Sequence, residues 1–317
     1  MVPALLLVVA GLLLVGQVVR TGKGAGASEA CAAPRGAQRA PAAHWVYCPA
    51  GATRDAPVVL ALHGWSSSAD DWSYARPIAN QLGWCMVAWD APGTRYSPDP
   101  DEWPDAPWDL SAFADAAVDL LDHLGHEKAL VMGVSWGAYI ATRIASRHPD
   151  RVLGIVAVGV GQDDPPLQIP PEAMEEMRAR IALIEAGDES AWAQEQANHD
   201  AAFYPGSRNK VDYTWSKDTR SFRLPASMVQ LDSVMGVDFR PELSRVRASG
   251  PAALPPALFV LGDSDRLHSV ESVHRLASSY GPQASVVLYA ATGHIVQHER
   301  RARFHADVVS WVQRRAL

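Results

Sequence analysis

The stretch ALVMGVSWGAYIATRIASRHP, residues 129–149, decides the fold. Ala129 to Gly133 is a short apolar run of the kind that forms a buried strand. Trp136 to Arg147 reads as a helix that stops before Pro149, because the residue ahead of a proline is pushed out of helical geometry. Between them, Gly133-Val-Ser-Trp-Gly137 fits G-x-S-x-G in the strand–turn–helix setting that the motif requires. The two glycines leave room for a sharp turn, so Ser135 stands exposed at the C-terminal end of the strand. Amides at the start of the helix favour negative charge developing beside that hydroxyl. The plain alternative is a tight turn whose serine only caps a helix.

Working outward, strands and helices alternate. HWVYCP (44–49) is a short edge strand, Val58 to Leu62 a buried strand, and CMVAWD (85–90) a third. Leu110, Phe113, Ala117, Leu120, Leu121 and Leu124 recur at helical spacing behind Asp109, a good cap. Val152 to Val158 is a strand rich in β-branched residues. Further on come a strand at Ala257 to Leu261, a helix at Ser272 to Tyr280, a strand at Ser285 to Tyr289 and a terminal helix at Glu299 to Arg314. This order predicts an α/β fold, a mostly parallel sheet flanked by helices. Between Gly161 and Pro256 strand runs give out. Met174, Met177, Ile181 and Ile184 share a helical spacing, Ala191 to Ala202 offers a second helix, and Val229, Leu231 and Val234 a short third. The block reads as an inserted helical cap over 161–256, interrupting a core of 44–160 and 257–317.

The N-terminus is of a different kind. Pro3 to Val19 contains one polar side chain, Gln17, and Arg20 and Lys23 follow it. Residues 1–24 read as a signal peptide or a signal anchor forming a transmembrane helix, and 25–43 as a flexible spacer. Either form predicts an exported protein, membrane-anchored or secreted. Of three cysteines, Cys85 reads as a small core side chain. A Cys31–Cys48 bridge and three unpaired thiols are both open readings. No C-x-x-C pair occurs, which argues against structural zinc or a thioredoxin-like motif. The formal charge of -7, from 28 basic and 35 acidic residues, argues against a general nucleic-acid backbone binder.

A serine nucleophile needs a base, and the base needs an orienting carboxylate. His294 in ATGHIVQHE, after the last strand, is the candidate base; His298 sits on a helix pointing away. Asp265 in LGDSD is the chosen carboxylate, and Asp263, nearer the strand end, is the rival better suited to stabilising the turn. The oxyanion needs two backbone donors, assigned to the N–H groups of Trp136 and of Trp65 in LHGWSSS. Trp65 has an alternative role as simple core. His63 lacks a metal-type partner pattern and reads as a structural hydrogen-bonding residue. No cofactor or metal is expected. The Met, Trp, Tyr and Phe of the cap suit a small-molecule ester with an apolar or aromatic acyl group, and equally read as the core of the cap itself. Glu172, Glu175 and Glu176 are open to two readings, a site for the amine of an amide substrate or a solvated helix face. A non-catalytic, membrane-tethered binding protein is the third reading.

LHGW, WDAPGTRYSP, GVSWGAYIATRIASRHPDRV, LGDSD and ATGH together resemble the α/β-hydrolase superfamily from about Val58 to Ala316. The resemblance implies the α/β-hydrolase fold, a triad of Ser135, Asp265 and His294, oxyanion amides at Trp65 and Trp136, and a cap over the pocket. The triad reading itself gives ester hydrolysis through an acyl-enzyme, without a cofactor; a thioesterase or a cofactor-free haloperoxidase would use the same three residues. GVSWGAYIA is also similar to proline iminopeptidases, although HGWSS stands where that subgroup has an HGGPG-like loop. Haloalkane dehalogenases and epoxide hydrolases of this fold use an aspartate where this chain has Ser135.

Overall fold

The protein is represented by a computed structural model that describes residues 42, 44–53, 56–99, 108–207, 221–250 and 252–317. Its strands are β1 (His44–Tyr47), β2 (Val58–Leu62), β3 (Cys85–Trp89), β4 (Ala129–Val134), β5 (Val152–Val158), β6 (Ala257–Gly262) and β7 (Ala284–Tyr289). They form one sheet in the order β1-β3-β2-β4-β5-β6-β7. Only β1 runs antiparallel, against β3; the other pairings are parallel. Every residue of β2, β3, β4 and β6 is buried, as parallel strands covered on both faces must be.

The helices are α1 (Arg76–Leu82), α2 (Leu110–Leu124) and α3 (Trp136–Arg147); then α4 (Pro171–Glu185), α5 (Glu189–Asp200), α6 (Ala226–Asp232) and α7 (Arg240–Arg247) between β5 and β6; then α8 (Val270–Tyr280), α9 (Val296–Glu299) and α10 (Arg301–Arg315). Alternate strand residues face opposite cores. Val58, Leu60 and Leu62 join Phe113 of α2 and Ile140 of α3. Val59 and Ala61 join Ile78 of α1 and Phe304 and Val308 of α10. Asp109 caps α2 as expected, its carboxylate accepting from the amides of Ser111 and Ala112 at 2.9 Å. α1 and α7 were not anticipated, because each has only two turns; α1 buries just Ile78 and Ala79. The expected terminal helix is split, with Arg300 at φ -124 between α9 and α10.

The chain leaves β2 for β3 on one side and returns to β4 on the other. Strand order therefore reverses between β2 and β4, whose ends are level: Leu62 lies opposite Gly133. Ligands of open parallel sheets bind at such a reversal, beyond the carboxyl ends of the strands.

Two expectations are corrected. Cys48 and Cys85 form a disulfide, with Cα atoms 4.2 Å apart. Neither a Cys31–Cys48 bridge nor unpaired Cys48 and Cys85 thiols holds; Cys31 itself lies outside the described residues. The cause is register: Tyr47 pairs with Met86, so Cys48 and Cys85 are the next opposed residues of that antiparallel ladder. The expected transmembrane helix, and with it membrane attachment and an exported location, is the second correction. Among the described residues no helix is long and apolar enough to cross a membrane. The longest helices there, such as α2 and α10, have 15 residues, about 22 Å against a hydrocarbon core of about 30 Å. Residues 1–24, expected as a leader, lie outside the described residues, as does the expected spacer apart from residue 42.

Candidate active site

Ser135 links β4 to α3 at φ 52 and ψ -120. A non-glycine residue held at positive φ costs about 1–2 kcal/mol. What holds it is local: its amide donates to Val158 O at 2.7 Å, and its carbonyl accepts from the amides of Ala138 and Tyr139 at 2.8 and 3.1 Å. The flanking glycines are obligatory. A Cβ on Gly133 would lie 2.1 Å from Gly137 O, and one on Gly137 would lie 2.4 Å from Leu62 O. Those are backbone atoms and cannot yield. Ser135 is half-buried where its neighbours are buried, so the turn does present this side chain.

His294 follows β7, and its amide donates to Ala202 O at 2.8 Å. Its imidazole is buried, and Nδ1 is 2.8 Å from Asp265 Oδ2. The second carboxylate oxygen of Asp265 accepts from the amides of Leu267 and His268, at 2.8 and 3.1 Å. Burial opposes ionisation of Asp265, but His294 beside it, His268 and the Leu267 amide together hold its pKa below the usual carboxylate range. Nδ1 therefore carries the proton toward Asp265, which leaves Nε2 as an acceptor. Nε2 is buried and has no hydrogen-bond partner, so Ser135 Oγ is not bonded to it in this structure. Each residue is placed by the end of β5. Val158 O holds the Ser135 amide, and a Cβ on the next residue, Gly159 (φ +65), would lie 2.8 Å from His294 Cε1.

The loop after β2 completes the group. Gly64 lies against the elbow: a Cβ there would be 3.7 Å from Ser135 Cβ. His63 locks this loop to the one after β3, with Nδ1 bonded to Gly64 O at 2.7 Å and Nε2 accepting from the Ala91 amide at 3.1 Å. Its ring also lies against Trp136, with centroids 5.7 Å apart, and these bonds to backbone suit a structural histidine. Trp65 comes next. Its indole donates to Ser227 O at 2.7 Å and meets Phe222 edge-on, with centroids 5.8 Å apart. Half-buried, it packs on a cluster of Ile181, Ile184, Ala191, Phe222 and Met228. Trp136 opens α3, so its amide lies outside the bonding of that helix. Its indole donates to Ser233 Oγ at 3.0 Å.

The other candidates stand apart. Asp263 is exposed and bonded to Ser264 Oγ and, at 3.4 Å, the Thr292 amide, the turn role expected of it. His298 is buried and bonded through Nε2 to Asp71 Oδ1 at 2.7 Å. Glu172, Glu175 and Glu176 are exposed on α4, and Glu175 lies 3.6 Å from Arg178. Two neighbours of the site were missed. His268 Nδ1 is 3.0 Å from Asp163 Oδ2, and its ring centroid is 6.1 Å from that of His294. Asp163 closes VGVGQD (158–163) just beyond β5, a strand-end carboxylate open to the same reading as Asp265. Glu299 accepts from the amides of Gly293 and Tyr204, at 2.9 and 3.0 Å, and so ties the histidine loop to the inserted block. Burial raises its pKa despite those two amides. The gathered parts are a hydroxyl on a strained turn, an imidazole with one acceptor nitrogen open, a carboxylate behind it, and a helix N-terminus, the set required for nucleophilic acyl transfer.

The family model described as alpha/beta hydrolase fold matches residues 57–301. Epoxide hydrolase A of Mycobacterium tuberculosis is 25% identical over 296 residues, covering 81% of this chain and 90% of that protein. The 2-hydroxy-6-oxononadienedioate/2-hydroxy-6-oxononatrienedioate hydrolase 2 of Pseudomonas putida is 26% identical over 274 residues, covering 81% and 88%. Among solved structures, a thermophilic esterase from Thermogutta terrifontis superposes with a TM-score of 0.64 at 19% identity, over 86% of this chain and 93% of that one.

Proposed function

The chain belongs to the alpha/beta hydrolase fold family, and from that premise we propose that it is a serine hydrolase cleaving small carboxylic esters through an acyl-enzyme. The observation that carries this reading is the buried His294, bonded to Asp265 through one ring nitrogen and open at the other, beside a serine at φ 52. Nε2 of His294 takes the Ser135 proton as Oγ attacks the ester carbonyl carbon. Asp265 keeps the imidazole in the required tautomer and stabilises its charged form. The tetrahedral oxygen accepts from the amides of Trp65 and Trp136. Collapse breaks the bond to the alcohol, which leaves with the proton from His294. Water then attacks the acyl-enzyme, giving its proton to Nε2, and the acid is released.

In this reading the inserted block 161–256, with α4 to α7, acts as a cap. Trp65, half-buried and edge-on to Phe222, sets an apolar side chain next to the proposed oxyanion amide, which favours an apolar or aromatic acyl group. A serine nucleophile fits acyl transfer better than epoxide opening. The glutamates of α4 are exposed, as those of a solvated helix face are, so esters are preferred over amides. Ser135→Ala is the decisive variant. It should fold normally, lose turnover of chromogenic esters, and take no label from a fluorophosphonate; ester turnover equal to wild type would falsify the mechanism.

A further inference from the structure

We propose, resting on that acyl-transfer reading, that Gln230 is a positioning residue that holds the oxyanion donors from the inserted block. α6 and the serine after it reach three strand-end loops at once. Gln230 Oε1 accepts from the Ser66 amide at 3.0 Å, and its Nε2 donates to Thr94 Oγ1 at 2.7 Å. The first contact is on the loop after β2, the second on the loop after β3. Ser227 adds two more on the β2 loop: its carbonyl accepts from the Trp65 indole at 2.7 Å and its hydroxyl from Ser66 Oγ at 2.8 Å. Ser233 accepts from the Trp136 indole at 3.0 Å while donating to Gln230 O at 2.6 Å, so it ties the elbow after β4 to the same helix. Both tryptophans assigned as oxyanion donors are therefore anchored to one short element.

The Gln230 contact differs from ordinary packing in what it controls. Ser66 sits at φ 45, a conformation a non-glycine residue does not choose. Its amide and hydroxyl are both bound from α6, so the helix sets how the chain turns immediately after Trp65. Ser66, Thr94, Ser227 and Gln230 are each no more than 1% exposed. In such a dry site an unmade hydrogen bond has no water to replace it, and a satisfied network fixes one orientation where apolar contact would allow many. The cap then does more than cover the pocket. It sets the aim of the amide that receives charge only as the tetrahedral oxygen forms.

Gln230→Met keeps the volume and removes both bonds. The expected result is a kcat lower by about ten- to hundredfold, short of the ~10²–10³ for outright loss of a donor, with KM within about twofold of wild type. Fluorophosphonate labelling should slow in the same ratio as kcat. Thr94→Val frees only the far end of Gln230 and should give the same kcat-selective loss at smaller size; it carries the test if Gln230→Met does not fold. Unchanged kcat in a folded Gln230→Met, or in Thr94→Val when that variant carries the test, overturns the proposal. So does a rise in KM with kcat held, which would make Gln230 part of the substrate wall. Ser135→Ala separates the two levels: if it still hydrolyses the ester, the acyl-transfer reading fails, whereas a dead Ser135→Ala beside a fully active Gln230→Met removes only the role of Gln230.

Discussion

Replacing Asp265 with Asn changes one atom and reverses one hydrogen bond. The Asn carbonyl can keep the amides of Leu267 and His268, which now bond Oδ1 at 2.8 and 3.1 Å. Its NH2 then takes the place of Oδ2, 2.8 Å from His294 Nδ1. Nδ1 must become the acceptor, so the imidazole proton moves to Nε2, the nitrogen that has to take the proton of Ser135. The nucleophile is left without a base although nothing has moved. A wrong-tautomer substitution of this kind lowers kcat by about 10⁴, or about 5.5 kcal/mol. The assay is steady-state hydrolysis of a chromogenic ester at pH 7, with Asp163→Asn measured beside it. Asp163 holds His268 rather than His294, so its variant should stay within about threefold of wild type. Stability gives a second check. The folded pKa of Asp265 is lowered, so the stability its ionised form contributes is present above the unfolded value of about 3.9 and is lost as pH falls. Wild type and Asp265→Asn should therefore converge in Tm below pH 4. An Asp265→Asn enzyme keeping more than a tenth of the wild-type kcat, or an Asp163→Asn enzyme losing more, would refute the reasoning.

Three further outcomes follow from individual contacts. Cys48→Ser opens a cross-link spanning 37 residues; chain entropy puts its loss at about 4 kcal/mol, and thermal unfolding should show a Tm lower by roughly 8 °C, a shift that reductant reproduces in wild type. Burial pushes Asp90 to about 6, even though Oδ1 accepts from the Ala69 amide at 2.8 Å. Its stabilising contribution, about 3 kcal/mol, is complete below pH 4 and lost as pH rises through 6. Asp90→Asn keeps an acceptor for that amide and should remove this fall in Tm between pH 4 and 7; an unchanged slope would count against the assignment. Gly137→Ala drives a methyl to within 2.4 Å of Leu62 O and 2.5 Å of His63 O. Denaturant titration should show a loss of at least about 3 kcal/mol, or no folded protein.

Local features were legible in the sequence. The strand–turn–helix at 129–147, the capping Asp109 and the apolar strands of the sheet depend on neighbours within a few residues. Their period, their glycines and their prolines encode them directly. The reach of Asp265 beyond its strand, against the shorter reach of Asp263, was readable in the same way, and it is Asp265 that bonds His294. Tertiary structure alone decided which distant groups meet. Cys48 pairs with Cys85 because β1 folds back antiparallel on β3 in one register. Asp163 takes His268 rather than His294, although β5 and β6 are adjacent strands that each end near a carboxylate. Gln230 looks like any polar residue of a short helix until two loops close on its side-chain amide. The physical reason is the same in each case. Periodicity and turn chemistry are properties of contiguous chain, whereas a partner across the sheet is chosen by strand order, register and the path of the connections, which no short stretch of sequence contains.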